Sequence, residues 1–153
     1  MTMEYSYFFK RFLKFSGIFN ISAAFLFLVP QLYKHYLMFY NHINAMLGMG
    51  GTSISMPTDS FHELMINTAG IDLVLIGAIV LLVSGDPLNP TNRKIIIANG
   101  IGRFMFFLLV GYYALFHGLI RIMIPLGIID AIITITFFYL LRKTSHEARK
   151  REP

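Results

Sequence analysis

The chain has 153 residues, of which 56% are hydrophobic and 14% charged, with a formal net charge of +5 and no cysteine. A soluble domain carries charge on about a quarter of its residues, so this composition excludes an ordinary water-soluble fold. The absence of cysteine excludes disulfides, thiol redox chemistry, iron–sulfur ligation and thiolate metal sites.

The apolar residues are blocked into four runs, at 12–30, 65–84, 95–116 and 121–141. Each is close to the ~20 residues that a helix needs to cross the hydrocarbon core. The pattern predicts an all-α, integral membrane four-helix bundle, a single membrane domain over residues 1–153. Span one follows a basic start at Lys10, Arg11 and Lys14, as a signal peptide would. Its end, Phe27-Leu28-Val29-Pro30, has no small-x-small cleavage site, so it is read as a retained helix.

The loop over 31–59 joins spans one and two. Within it Leu32, Tyr36, Phe39, Tyr40, Ile43 and Leu47 recur at helical spacing, while Lys34, His35, Asn41 and His42 fall largely elsewhere on the wheel. This is an amphipathic outer segment at the membrane interface, where aromatic rings are favoured. It reads either as a belt that anchors the domain or as a cover over a ligand pocket. Gly48-Met49-Gly50-Gly51 and Met56-Pro57 are loop punctuation, and Ser60-Phe61-His62-Glu63 matches a capping box for span two.

Span two ends at Ser84-Gly85-Asp86-Pro87. The proline-stiffened turn through Pro90 makes spans two and three antiparallel neighbours. The tighter turn near His117-Gly118 makes spans three and four a hairpin. The tail 142–153 is basic and expected to fray.

Ten Lys and Arg residues flank one set of span ends: Lys10, Arg11, Lys14, Arg93, Lys94, Arg142, Lys143, Arg149, Lys150 and Arg151. Lys34 and Arg121 alone sit at the other set. By the positive-inside rule both termini face the cytoplasm (N-in/C-in), in a multi-pass protein of the cell inner (plasma) membrane. The basic tail contacts anionic membrane lipids. Nucleic acid is not an expected partner, because the chain has no folded basic module and no stacking platform.

Each span carries one strongly polar residue near its middle: Asn20, Asp72, Arg103 and Asp130. Asn20 and Arg103 lie about eight residues in from one side, Asp72 and Asp130 about seven and nine from the other. At a rise of about 1.5 Å per residue all four reach mid-depth within a turn or two. Small residues share their stripes, among them Gly17, Ala23, Ala69 and Gly127, and small residues let membrane helices approach closely. A charge in hydrocarbon faces a partner or a polar cavity, so these four are the candidate ligand-binding or proton site. One arginine against two aspartates leaves a charge of −1 if all ionise, so one aspartate is expected to hold a proton. Two readings stand: a buried pair that only specifies helix packing, and a functional site. No catalytic residue is assigned.

His62 and His117 share stripes with Asp72 and Arg103 and are read as an outer mouth to the cluster, or simply as interfacial histidines. No spacing joins the outer histidines into a metal site, so none is expected. A faint repeat relates Gly17-Ile18-Phe19-Asn20 to Gly100-Ile101-Gly102-Arg103, and Gly70-Ile71-Asp72 to Gly127-Ile128-Ile129-Asp130. A parallel two-helix duplication would leave such a trace.

Gly17-x-x-Asn20, Pro30, Gly70-Ile71-Asp72 with Gly77, Asp86-Pro87, Gly102-Arg103 and Gly127-x-x-Asp130 together resemble the DoxX-like superfamily, including BphX-like proteins. These are small four-helix bacterial membrane proteins. The resemblance implies a four-helix bundle and a link to membrane oxidoreductase complexes, in which a bound quinone or a partner subunit supplies the redox group; a bound lipid is the other ligand expected. The leading expectation is a non-enzymatic protein that binds a small lipophilic ligand, quinone- or lipid-like, or serves as a subunit of a membrane complex. The alternatives are a proton-coupled small-molecule transporter, acting as a homodimer, and an integral membrane enzyme using the two aspartates as acid and base.

Overall fold

The computed structural model describes residues 2–149 and is all-helical. Helix α1 spans Thr2–Phe25 and runs into a single 3-10 turn at Leu26–Leu28. Then come α2 (Pro30–Met46), α3 (Ser60–Val83), α4 (Pro90–Phe116) and α5 (Met123–Arg149). α1 with its 3-10 turn, α3, α4 and α5 are each long and apolar enough to cross a bilayer. Their outer faces are hydrophobic: Leu82, Leu115 and Phe116 are 80%, 79% and 72% exposed. A water-soluble monomer does not carry so continuous an apolar surface.

Each of the four spanning helices outruns the apolar run that announces it, α1 and α5 the furthest. α1 starts ten residues before the run 12–30, because no Gly or Pro interrupts Thr2–Lys10. Phe9 locks this extension into the core at 0% exposure, beside Leu13 one turn on. The expected fraying after Arg142 does not occur up to Arg149, since that stretch also lacks Gly and Pro. Thr144 anchors there by donating to the Leu140 carbonyl at 2.7 Å. The remainder of the tail, from Lys150, lies outside the described residues.

The start of α3 is capped by Asp59, one residue before the expected capping box. Its carboxylate accepts from the backbone N–H of both Phe61 and His62 at 3.0 Å. Glu63, freed from any capping role, forms an ion pair at 2.7 Å with Lys34 of α2.

Glycines decide which helices pair. α3 lies along α1, where an added Cβ on Gly77 would stand 2.9 Å from the Gly17 carbonyl oxygen, and one on Gly17 2.8 Å from that of Gly77. Only glycine permits this approach. α4 lies along α5, with Gly100 beneath Phe138 and Gly127 beneath Val110. α3 and α4, though joined by a short turn, touch only sparsely. They are chain neighbours but not packing partners, because each is drawn to a different helix.

The core fills one end of the bundle. Phe9, Leu13, Val80, Ile96, Phe137 and Leu140 interlock where α1 starts, α3 ends, α4 starts and α5 ends. The opposite end is closed by α2 and the loop after it. Asn44, 7% exposed, donates to the Gly50 carbonyl and accepts from the Ile122 N–H, at 2.9 and 3.0 Å. Thr52 and Arg121 add backbone bonds to Gly118 and Gly50. Gly51 is obligatory here: its φ is +87°, and a Cβ would meet the Leu119 carbonyl oxygen at 2.6 Å.

Candidate functional site

Between the core and this clasp, the gap between α3 and α4 is a cavity of about 750 Å³. Leu73, Ile76 and Ile79 form one wall, and Ile95, Ala98 and Phe106 the other. α1 and α5 supply the floor. Tyr36 and Tyr40 of α2 line the end away from the core. Their hydroxyls are hydrogen-bonded to one another. Burial, together with the Tyr36 hydroxyl, pushes the Tyr40 phenol up, so it stays neutral.

The floor carries the polar groups. Arg103, 7% exposed, reaches from α4 across to α1 and α5. Its Nη1 donates to Asp130 Oδ1, closing an ion pair between α4 and α5. Its Nη2 donates to Asn20 Oδ1 at 2.6 Å and to Ser16 Oγ at 3.0 Å, both on α1. Its Nε donates to Asn99 Oδ1, one turn back on α4, at 3.1 Å. The guanidinium thus ties three helices together with nearly all its donors engaged. Thr134 fixes the backbone beneath Asp130, bonding the Gly100 and Asp130 carbonyls at 3.1 and 2.9 Å.

Of the four residues singled out by depth, Asn20, Arg103 and Asp130 come together and Asp72 does not. Asp72 is exposed, and no side-chain hydrogen bond joins it to the described residues. The reason is azimuth. Gly70 and Gly77 set the side of α3 that meets α1, and Asp72 is turned about 140–160° from both. The site therefore balances one arginine against one aspartate. The −1 imbalance, and with it the need for a protonated second aspartate in the cluster, is absent. Asp72 and Asp130 form no acid–base pair.

The outer-mouth histidines also stand apart from the cavity. His62 is exposed and its Nδ1 bonds the Asp59 carboxylate at 2.5 Å. His117, at the end of α4, packs its ring on Tyr112 and Tyr113, with centroids 4.9 and 5.1 Å away. Each is held by local partners rather than by the cluster.

Ser16 and Asn99 belong to the site without having been singled out for it in the sequence, and Tyr36 and Tyr40 were raised only as part of the segment read either as a belt or as a cover. Ser16 and Asn99 each precede a recognised residue by four positions, the spacing at which helical side chains meet. That was the available signal. Compared with family models, curated proteins and solved structures, the chain gives no match.

Proposed function

We propose that this is a multi-pass protein of the cell inner (plasma) membrane, with both termini cytoplasmic, that binds a small lipophilic molecule between α3 and α4. It acts alone or as a subunit of a larger membrane complex. The observation that carries this reading is the cavity itself: apolar walls, a size in the usual range for small-ligand sites, and an Arg103–Asn20–Asn99–Asp130 floor that fixes a polar head. The excess of basic residues at the chain-start end of the bundle supports the orientation. The reading rests on the site and does not draw on the DoxX-like resemblance.

The buried side chains of Phe9, Leu13, Ile96 and Phe137 stand between the cavity and the chain-start end. This plug favours a binding site over a conduit through the bundle.

Gly102 supplies a clean test. It lines the cavity, and a Cβ added there meets nothing within 4 Å. Gly102→Leu therefore puts a branched side chain into the cavity beside Arg103 without a backbone clash. Native mass spectrometry from mild detergent should show a stoichiometric lipophilic adduct on the wild-type protein that is lost from the folded variant. A bare wild-type protein, or an adduct indifferent to the variant, contradicts the proposal.

A further inference from the structure

The orientation of two side-chain amides narrows the ligand's chemistry. Arg103 has only donors, so any amide bonded to it must present its oxygen. Asn20 and Asn99 both do so, through Oδ1, at 2.6 and 3.1 Å. Their Nδ2 groups then have no protein partner among the described residues, and both asparagines line the cavity. The guanidinium's five N–H groups make four bonds, which leaves one more on Nη1. The floor thus offers donors on α1 and on α4. On the acceptor side, the second carboxylate oxygen of Asp130 has no hydrogen-bond partner among the described residues.

The charges point the same way. Arg103 and Asp130 cancel within the floor. An anionic head in this apolar enclosure would leave a net negative charge, and a cationic head a net positive one, both costly in low dielectric. A neutral head with acceptor oxygens satisfies the free N–H groups and leaves the balance intact.

We infer that the cavity selects a long-chain amphiphile with a neutral carbonyl head, against the same tail carrying a phosphate or an amine. A hydroxyl beside the carbonyl has a place at Asp130. The inference rests on the cleft being a ligand site, and it adds the class of ligand to that reading. Lipid esters and quinone-type diketones both offer such oxygens.

The test uses the full-length protein in detergent micelles and four hexadecyl probes with a photoreactive tail: an ester, a 1,4-benzoquinone, a phosphate and an amine. Binding is read as labelling of the wild-type protein that Gly102→Leu abolishes. The ester or the quinone should bind at least about tenfold more tightly than the phosphate and the amine, and the better of the two identifies the source. Asn99→Leu should weaken the preferred carbonyl probe about fivefold, the worth of one hydrogen bond. A phosphate or amine that binds as tightly as both carbonyl probes overturns the ligand class while leaving the cleft as a site. Failure of every probe to label beyond the level of Gly102→Leu overturns the cleft reading, and this inference with it.

Discussion

Arg103 and Asp130 form an ion pair across α4 and α5, with side chains only 6% and 17% exposed. The same guanidinium holds α1 through Ser16 and Asn20. One side chain therefore defines both a packing contact among three helices and the floor of the cavity. Separating these roles requires variants that treat the pair as a unit.

Arg103→Ala leaves Asp130 as an unpaired carboxylate and should destabilise the bundle by about 3–5 kcal/mol. Asp130→Leu alone should cost a similar amount, because it strands the arginine. The double variant Arg103→Met, Asp130→Leu removes both charges together, so that neither is left unpaired, and should recover most of that loss. Thermal unfolding in detergent reads stability, and native mass spectrometry reads the bound adduct. A folded double variant without adduct assigns the pair to ligand binding. A double variant as unstable as the singles, or one that keeps the adduct, contradicts that assignment.

Asp72 poses the opposite case, a carboxyl group at mid-span with no partner among the described residues. An aspartate near the centre of a membrane helix costs about 2.5–3.5 kcal/mol to insert. Asp72→Leu should ease insertion of the α3 segment, and leave the protein's thermal midpoint unchanged or higher. Glycosylation mapping of the inserted segment and a melting curve in detergent measure the two. A fall in the midpoint would mean that Asp72 is held within the bundle after all.

Depth along a helix is legible in a sequence, but azimuth is legible only once the packing face is known. Counting residues from the span edges placed Asn20, Arg103 and Asp130 at one level, and they meet. The same count placed Asp72 there, yet the Gly17–Gly77 contact turns it away from them. His62 and His117 share the stripes of Asp72 and Arg103, but a neighbouring carboxylate and two tyrosines hold them. Span edges followed hydropathy, which marks where the membrane ends and not where a helix does; α1 and α5 accordingly run past 12 and 141. The helical periodicity of 31–47 was visible, whereas its position over the cavity depends on the Asn44 bonds to Gly50 and Ile122, which no local pattern signals.

Those bonds hold the cover in place. Asn44→Ala removes both and leaves the Ile122 N–H without its acceptor, which should cost about 1–3 kcal/mol. The loss should be local. Amides of the 48–54 loop and of Leu119 to Ile124 should exchange faster, while those of the core around Leu13 and Val80 stay protected. Hydrogen exchange read by mass spectrometry distinguishes the two regions. Uniform loss of protection would show that the clasp supports the whole bundle rather than the cover.

At the start of α3, the backbone N–H and side chain of His62, with the backbone N–H of Phe61, hold the Asp59 carboxyl below the usual carboxylate range. A lowered pKa in the folded state means that the cap's contribution is present above the unfolded value of about 3.9. It is lost as pH falls through the lower, folded value. Acid should therefore fray the first turn of α3 in the wild-type protein. Asp59→Asn keeps an oxygen for the two amides but has no proton to gain, and asparagine caps as well as aspartate. Protection factors of the Phe61 and His62 amides, measured at pH 6 and pH 3, should drop in the wild type and stay level in the variant. Glu63 and its ion pair with Lys34 are common to both proteins, so their titration cannot produce the difference. An equal acid response in the variant would move the pH sensitivity away from Asp59 and onto that neighbouring pair.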